Sequence, residues 1–487
     1  MSSKSYPVFQ YVFLIFTIIL FIQFIIAVTL HWNYLFYLYN QVEIYLWVIL
    51  SVLYYLETYS KRIGVSARTV YLFMLSYISF VLFMGYLAYF VILSPFIKDV
   101  LFYAMGFNFT LLYLIILLTT FSILVLGALS GFMMGDLVMP FFDKYFFRGA
   151  KSVINDNGTK AFVFVGRYNG FGFGSLLRMY AFVFTPNGEL DPIGKGILVH
   201  ELGHAKNRHN VILISMFTLV LSDALTAAYL HNLAQDLAIL LMPFFMALSL
   251  IIFRACEIHA DLAWHKMHGE ESVNQLRETL KHFYGVDDPR KAPLNSRLTH
   301  PGKRDLVLRF GDALAPHAPW EFPLLAALFN AAIVDFSFLL RMSPSLPLIG
   351  RPFTLILVLF YIGSFIGSLV LIYLFGLVFK PLVRYFLAGS LVEDGLTNAS
   401  FLLSSIYLAA SAISLLISAS SWWITTIVAF VIALIIIRHY VDVLRPSLFT
   451  VLSTLVIYLV VGFVFTLVIQ IMLPIVLHWF GSLWHVH

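Results

Sequence analysis

Residues 197–210 read Ile197-Leu198-Val199-His200-Glu201-Leu202-Gly203-His204-Ala205-Lys206-Asn207-Arg208-His209-Asn210. On a helix, side chains four residues apart stack on one face, so His200 and His204 present two imidazoles to a single point. Neutral imidazoles suit Zn²⁺, which lowers the pKa of a water it binds towards 7, and Glu201 projects beside the pair to take that water's proton. A His-Glu-x-x-His pattern arises by chance in roughly one sequence of this size in a hundred, which makes a metal site the stronger reading. Apolar Ile197, Leu198 and Val199 lead into the pattern, and no helix breaker separates it from an apolar run beginning near Val211. Gly203 costs a helix interior about 1 kcal/mol relative to Ala, so its presence points to close packing or a close approach to the metal site.

A catalytic zinc takes three protein ligands and leaves one position open. Residues 254–264 read Arg254-Ala255-Cys256-Glu257-Ile258-His259-Ala260-Asp261-Leu262-Ala263-Trp264. Glu257 and Asp261 share one helical face and His259 points elsewhere. Glu257 is the expected third ligand, with Asp261 orienting a ligand from behind; if Glu257 proved dispensable, His259 or Asp261 would be next. His259, His265 and His268 otherwise read as interfacial histidines, and Cys256 as a packing residue. The expected cofactor is one Zn²⁺.

The rest of the chain sets this motif in a membrane. Of 487 residues, 61% are hydrophobic and only 11% charged, with mean hydropathy +0.91, far from the make-up of a soluble domain. The single cysteine excludes an intramolecular disulfide and a Cys-based zinc site. The basic residues are scattered through loops with no clustered face, so no nucleic-acid partner is expected; the lipid bilayer is. Eleven apolar runs are long enough to span a bilayer core, at about 9–30, 36–56, 70–94, 109–131, 211–230, 237–254, 322–340, 353–379, 401–419, 421–437 and 449–473. With the amino terminus inside, only Lys98, Arg341 and Arg351 among the lysines and arginines face outward, as positive-inside topology requires. Within the runs, Glu43, Asp223 and Asp335 either line a cavity or glue helices together.

Two polar blocks, roughly 132–210 and 255–320, then lie on the cytoplasmic side and can fold together. The first holds strand-like runs at Ala161–Val165 and Tyr180–Thr185, the second run followed by the turn signal Pro186-Asn187-Gly188. The glycines of Gly170-Phe171-Gly172-Phe173-Gly174 fit no phosphate-binding fingerprint and read as a flexible loop.

His200-Glu201-Leu202-Gly203-His204-Ala205-Lys206, His209 and Glu257-Ile258-His259-Ala260-Asp261 resemble the integral-membrane gluzincins, the zinc-dependent CAAX prenyl endopeptidases and bacterial HtpX proteases. Thr299-His300-Pro301 with Arg304 resembles that family's His-Pro segment and following arginine. The resemblance covers about 160–310. It implies that His200, His204 and Glu257 bind zinc and that Glu201 is the general base. It also implies that His300 helps hold the oxyanion or substrate, and that Arg304, or Arg309 at a longer spacing, pairs with the site's carboxylates. The family's substrate-pairing edge strand, which opens with Asn-Ala-Phe or similar, corresponds to Tyr180-Ala181-Phe182-Val183-Phe184, making Tyr180, Ala181 and Phe182 substrate-binding.

The expected architecture is mainly α: a polytopic helical membrane protein of about eleven transmembrane helices with a small cytoplasmic-face α+β zincin-like domain. Its parts are a four-helix region (1–131), a metallopeptidase domain (132–320) containing a transmembrane hairpin at about 211–254, and a five-helix region (321–487). The leading expectation is a zinc endopeptidase acting on peptides or membrane-anchored, including lipidated, proteins near the cytoplasmic surface. The alternatives are a signalling receptor with a protease output, for which the outer loops are too short, and a transporter or scaffold with a relic zinc site, against which the intact Glu201 weighs. Site-2-type intramembrane proteases place the same motif inside a span, whereas Lys206, Arg208 and His209 set it here at the interface.

Overall fold

The computed structural model describes residues 109–417, apart from 146, 157, 230–232, 270, 293–296, 298–299, 343–351 and 388–390, with isolated positions beyond. The expected spans at 9–30, 36–56, 70–94, 421–437 and 449–473, and Glu43, lie outside the described residues. The chain divides into two compact units, one built mainly from Leu111–Gly311 and the other mainly from the residues after Asp312.

The first unit begins with α1 (Phe109–Met133), which passes through a π-helical turn at Met134–Val138 into α2 (Met139–Tyr145). Strands β1 (Ser152–Asp156), β2 (Thr159–Val165), β3 (Asn169–Gly174) and β4 (Met179–Thr185) follow. Helices α3 (Pro192–Lys206), α4 (His209–Tyr229), α5 (Leu233–His268), α6 (Glu271–Tyr284) and α7 (Asp305–Phe310) complete it. The second unit holds α8 (Glu321–Met342), α9 (Pro352–Leu387) and α10 (Glu393–Ile417). The protein is thus mainly helical with one small sheet. Among the described residues, five stretches are long and apolar enough to cross a membrane: Leu118–Phe141, Leu237–Lys266, Glu321–Leu339, Leu357–Tyr385 and Glu393–Ile413; the apolar stretch His209–Ala224 is shorter. Asp335, fully buried on α8, accepts a 3.4 Å bond from Ser364 of α9, a contact between helices, which is one of the two roles open to it.

The sheet runs β1-β2-β4-β3, with β2 and β4 parallel and the outer pairs antiparallel. Alternation along the strands sorts side chains by size. Phe162, Phe164, Phe173, Tyr180, Phe182 and Phe184 fill one face in a ladder of stacked rings, Phe162 on Phe182 at 5.4 Å and Phe164 on Phe184 at 5.3 Å, closed by Met134, Met139 and Phe147. The other face carries Ala161, Val163, Ala181 and Val183 between those aromatics, with Gly170, Gly172 and Gly174 set against α3. Small residues on that face let the helix approach closely: a Cβ on Gly172 would sit 2.0 Å from the Glu201 carbonyl oxygen, and one on Gly174 2.0 Å from that of Ala205. The segment expected to be a flexible loop is therefore β3. Its glycines alternate with Phe171 and Phe173 at the period of a strand, bare positions facing the helix and rings facing the core.

Asp191 caps α3, its Oδ1 accepting the Gly194 N–H at 2.7 Å, with Pro192 at the first helical position. The helix does not run on into the following apolar run. It ends at Lys206, Arg208 takes a left-handed backbone (φ 53°), and α4 restarts at His209. Helix α4 packs on α1 through Gly127 and Gly131, whose added Cβ atoms would meet Ser215 Cα at 2.5 Å and Val211 Cα at 3.0 Å; small residues four apart permit such close crossings.

Candidate metal centre

Helices α3 and α5 cross where Gly203 meets Ala260, with 3.0 Å separating a Gly203 Cβ from the Ala260 backbone, the close packing that Gly203 pointed to. The crossing brings His200 and His204 against Glu257. The two imidazole Nε2 atoms lie 3.1 Å apart. His200 Nε2 is 3.3 Å from Glu257 Oε2, and His204 Nε2 is 3.6 Å from Glu257 Oε1. Donors about 2.0–2.1 Å from one tetrahedral metal lie roughly 3.3–3.4 Å from each other, so these three groups are spaced as zinc ligands. Glu257 Oε2 is buried without a well-directed hydrogen bond, which is the state of an oxygen aimed at a cation. These donors fit a zinc ion. Both imidazoles are 12% exposed, leaving a narrow access.

Behind the ligands sits a supporting layer. Asp261 Oδ1 lies 3.1 Å from His200 Nδ1, off the ideal hydrogen-bond direction, and Asp261 is itself gripped by Arg304 through both carboxylate oxygens, Nε to Oδ2 at 2.6 Å and Nη2 to Oδ1. This bidentate clamp fixes the carboxylate that fixes the imidazole. Of the two arginines, Arg304 is the one that reaches a carboxylate of the cluster, whereas Arg309 is exposed on α7. On the other ligand, His204 Nδ1 and His209 Nδ1 are 2.9 Å apart, so one carries the proton. Burial and the neighbouring His204 and His259 push His209 down to about 2, so it is neutral; were His204 to hold a metal through Nε2, its proton would sit on Nδ1 and be donated to His209 Nδ1. His209 owes this placement to the break at Arg208, which turns it back towards His204. Nothing in its spacing signals that reversal.

Electrostatics agree with the geometry. Burial alone would lower the His200 pKa, yet the carboxylates of Asp261 and Glu257, one beside each ring nitrogen, push it up to about 10. The same negative field suits a dication. Burial raises the Glu201 carboxyl above its ordinary range, opposed by His204 and His200. Its side chain lies against β3, where a Gly170 Cβ would meet Glu201 Cγ at 2.7 Å. His300 Nε2 reaches Glu257 Oε2 at 3.1 Å from the loop before α7.

Tyr180, Ala181 and Phe182 are not where a substrate can pair. They belong to β4, hydrogen-bonded to β2 on one side and β3 on the other, and are at most 2% exposed. Among the described residues the edges are β1 and β3, and β3 is the one lying on the site helix. Asn210 Oδ1 takes the Gly174 N–H at 2.8 Å, off the outer side of the strand, so by the two-residue period the N–H and C=O of Gly172 also point outward.

The family model of Peptidase family M48 matches residues 190–309, which contain His200, Glu201, His204, Glu257, Asp261, His300 and Arg304. The match and the His-His-Glu cluster support a metallopeptidase. No curated protein and no solved structure matches the chain.

Proposed function

We propose that the protein is a membrane-embedded zinc endopeptidase, akin to the prenyl and HtpX type, cleaving peptides or membrane-anchored chains close to the cytoplasmic membrane surface. The observation that carries this reading is the convergence of His200 Nε2, His204 Nε2 and a Glu257 oxygen at tetrahedral spacing, with Glu201 wedged between that point and an edge strand. A zinc ion held there supplies Lewis acidity, polarising a carbonyl and lowering the pKa of water. Glu201 accepts the proton of the attacking water and returns it to the leaving amine, a task for which a raised carboxyl is suited. His300 offers a hydrogen bond to the oxygen that gains charge. The substrate lies extended along β3, pairing with the outward groups of Gly172, which holds the backbone with little side-chain selectivity. Cytoplasmic placement rests on the bias of lysine and arginine among the loops, and bilayer embedding on the five apolar helices.

The test measures zinc content and peptide hydrolysis of the purified wild type, Glu201→Gln and Glu257→Ala. Glu201→Gln should keep one zinc and lose about 10²–10⁴-fold in rate, and Glu257→Ala should lose the metal. Full hydrolysis by either variant would refute the assignment.

A further inference from the structure

The hairpin joining β3 to β4 presents Leu176 and Leu177 at its tip, 62% and 79% exposed. Adjacent leucines are rarely left so bare on a surface that only water touches. The turn cannot fold them away, because it is hydrogen-bonded throughout. Ser175 N–H donates to the Arg178 carbonyl at 2.8 Å, and Arg178 N–H donates to Ser175 Oγ at 3.1 Å. Asp136 in the π-helical turn accepts from Ser175 Oγ at 2.5 Å and from Leu177 N–H at 3.3 Å. Arg208, the one described non-glycine residue with positive φ, directs Nε to the Ser175 carbonyl at 2.9 Å. Gly135 leaves room for the contact, since a Cβ there would lie 2.2 Å from Ser175 Cβ. Two rigid elements thus hold the tip fixed with both leucines outward.

What covers the tip follows from its neighbours. Phe121, Val125, Leu129, Met133, Leu137 and Phe141 recur every fourth residue, each 39–65% exposed, as one apolar stripe along the stretch Leu118–Phe141. The hairpin docks on Asp136, the residue next to Leu137 of that stripe. Arg178, Lys206 and Arg208 flank it, all exposed and basic. An apolar tip with three exposed cations and the carboxylate of Asp136 beside it, adjoining a lipid-facing helix, fits the boundary between acyl chains and headgroups that include anionic ones.

We infer that the Leu176-Leu177 tip is a membrane-dipping anchor that seats in the bilayer interface and fixes the height of β3 above it. This rests on the reading of α1 as bilayer-embedded. With about 3.3 Å per strand residue, Gly172 sits roughly 10 Å along β3 from Ser175. A chain emerging from the bilayer beside the tip is therefore delivered onto the outward edge of β3 within its first few residues, and the substrate class becomes chains anchored in the same leaflet.

The test places a bimane label on cysteine variants Leu177→Cys, Leu129→Cys and Asn187→Cys, in vesicles of phosphatidylcholine with a minority of phosphatidylglycerol. Buried Cys256 serves as the unlabelled background. Lipids brominated near the carbonyl should quench the Leu177 label about threefold more than the Asn187 label, while aqueous iodide quenches the Asn187 label preferentially. Quenching of the Leu129 label by brominated lipid reports whether α1 lies in the bilayer. If that label is quenched but Leu177 behaves like Asn187, the anchor is refuted; if Leu129 escapes lipid quenching, the embedding itself is wrong. In a second arm, a Leu176→Ser, Leu177→Ser variant that retains its zinc should lose about tenfold in kcat/KM on a lipid-anchored peptide and nothing on the same peptide without its anchor. Equal loss on both peptides overturns the proposal.

Discussion

Among the described residues each unit holds a histidine–glutamate arrangement, and the two are built for opposite ends. In the second unit His317 Nδ1 meets Glu321 Oε2 at 2.7 Å, with both side chains fully buried. The remaining groups there turn inward. Glu321 Oε1 takes the Ala318 N–H at 2.9 Å while Glu321 N–H returns to the Ala318 carbonyl, much as a capping box closes the start of α8. Asn398 Nδ2 bonds the carbonyls of Leu314 and His317 at 2.8 and 2.7 Å, and Asp312 accepts the N–H groups of Leu314, Ala315 and Val392. At the His200–Glu257 site the same residue types come from two different helices, their Nε2 and carboxylate atoms converge on one another, and access remains. Residue type alone therefore does not make a metal site. The direction of the lone pairs, and who holds the far nitrogen, decide it.

The sharpest way to break that contrast is to disturb the far nitrogen. Asp261→Asn keeps the shape but removes the charge that positions His200 and leaves Arg304 without its partner. Zinc affinity, measured by competition with a chelator, should fall about 10–100-fold, and His209→Ala should weaken it in the same range through His204. Glu321→Gln in the same titration should leave it unchanged. Wild-type affinity in Asp261→Asn would mean that the supporting layer is only packing.

A second prediction follows from the raised pKa of His200. A folded-state value of about 10 against an ordinary 6.5 means that the metal-free fold gains stability from that proton fully below pH 6.5 and loses it as pH rises through about 10. Zinc has to displace the same proton. Between these limits affinity should climb by up to about tenfold per pH unit, with on the order of one proton released, measured by calorimetry in buffers of different ionisation enthalpy. A pH-independent affinity would show that His200 is already neutral in the metal-free protein.

How much of this was legible in the sequence depends on whether a signal was local. His200, Glu201 and His204 follow from helix period alone, and Glu257 with Asp261 from the same period on a second helix. The strands β2 and β4 were visible as aromatic and β-branched runs. What failed was pairing. Tyr180–Thr185 is the more strand-like run and reads as the edge, yet its buried Ala181 and Val183 mark a central strand, whereas β3 reads as loop because glycine replaces every residue that faces α3. Glycine's low strand propensity was overridden by the need for backbone contact with the site helix. The contact of His209 with His204 is hidden for a related reason: the left-handed Arg208 that reverses the chain carries no glycine or proline to announce it.

The smallest expected effect concerns the closed pair and tests whether the contrast between the two arrangements is complete. Glu321→Gln removes the charge opposite His317 and the acceptor geometry that closes the start of α8, but it touches neither ligand nor β3. Leaving buried groups imperfectly paired costs about 1–3 kcal/mol, so the thermal unfolding midpoint of the zinc-loaded protein should fall by several degrees. Zinc content and the rate on a soluble peptide should stay at wild-type values. Loss of zinc or of rate in this variant would mean that the His317–Glu321 pair acts on the catalytic centre, and that the open and closed arrangements are parts of one coupled device.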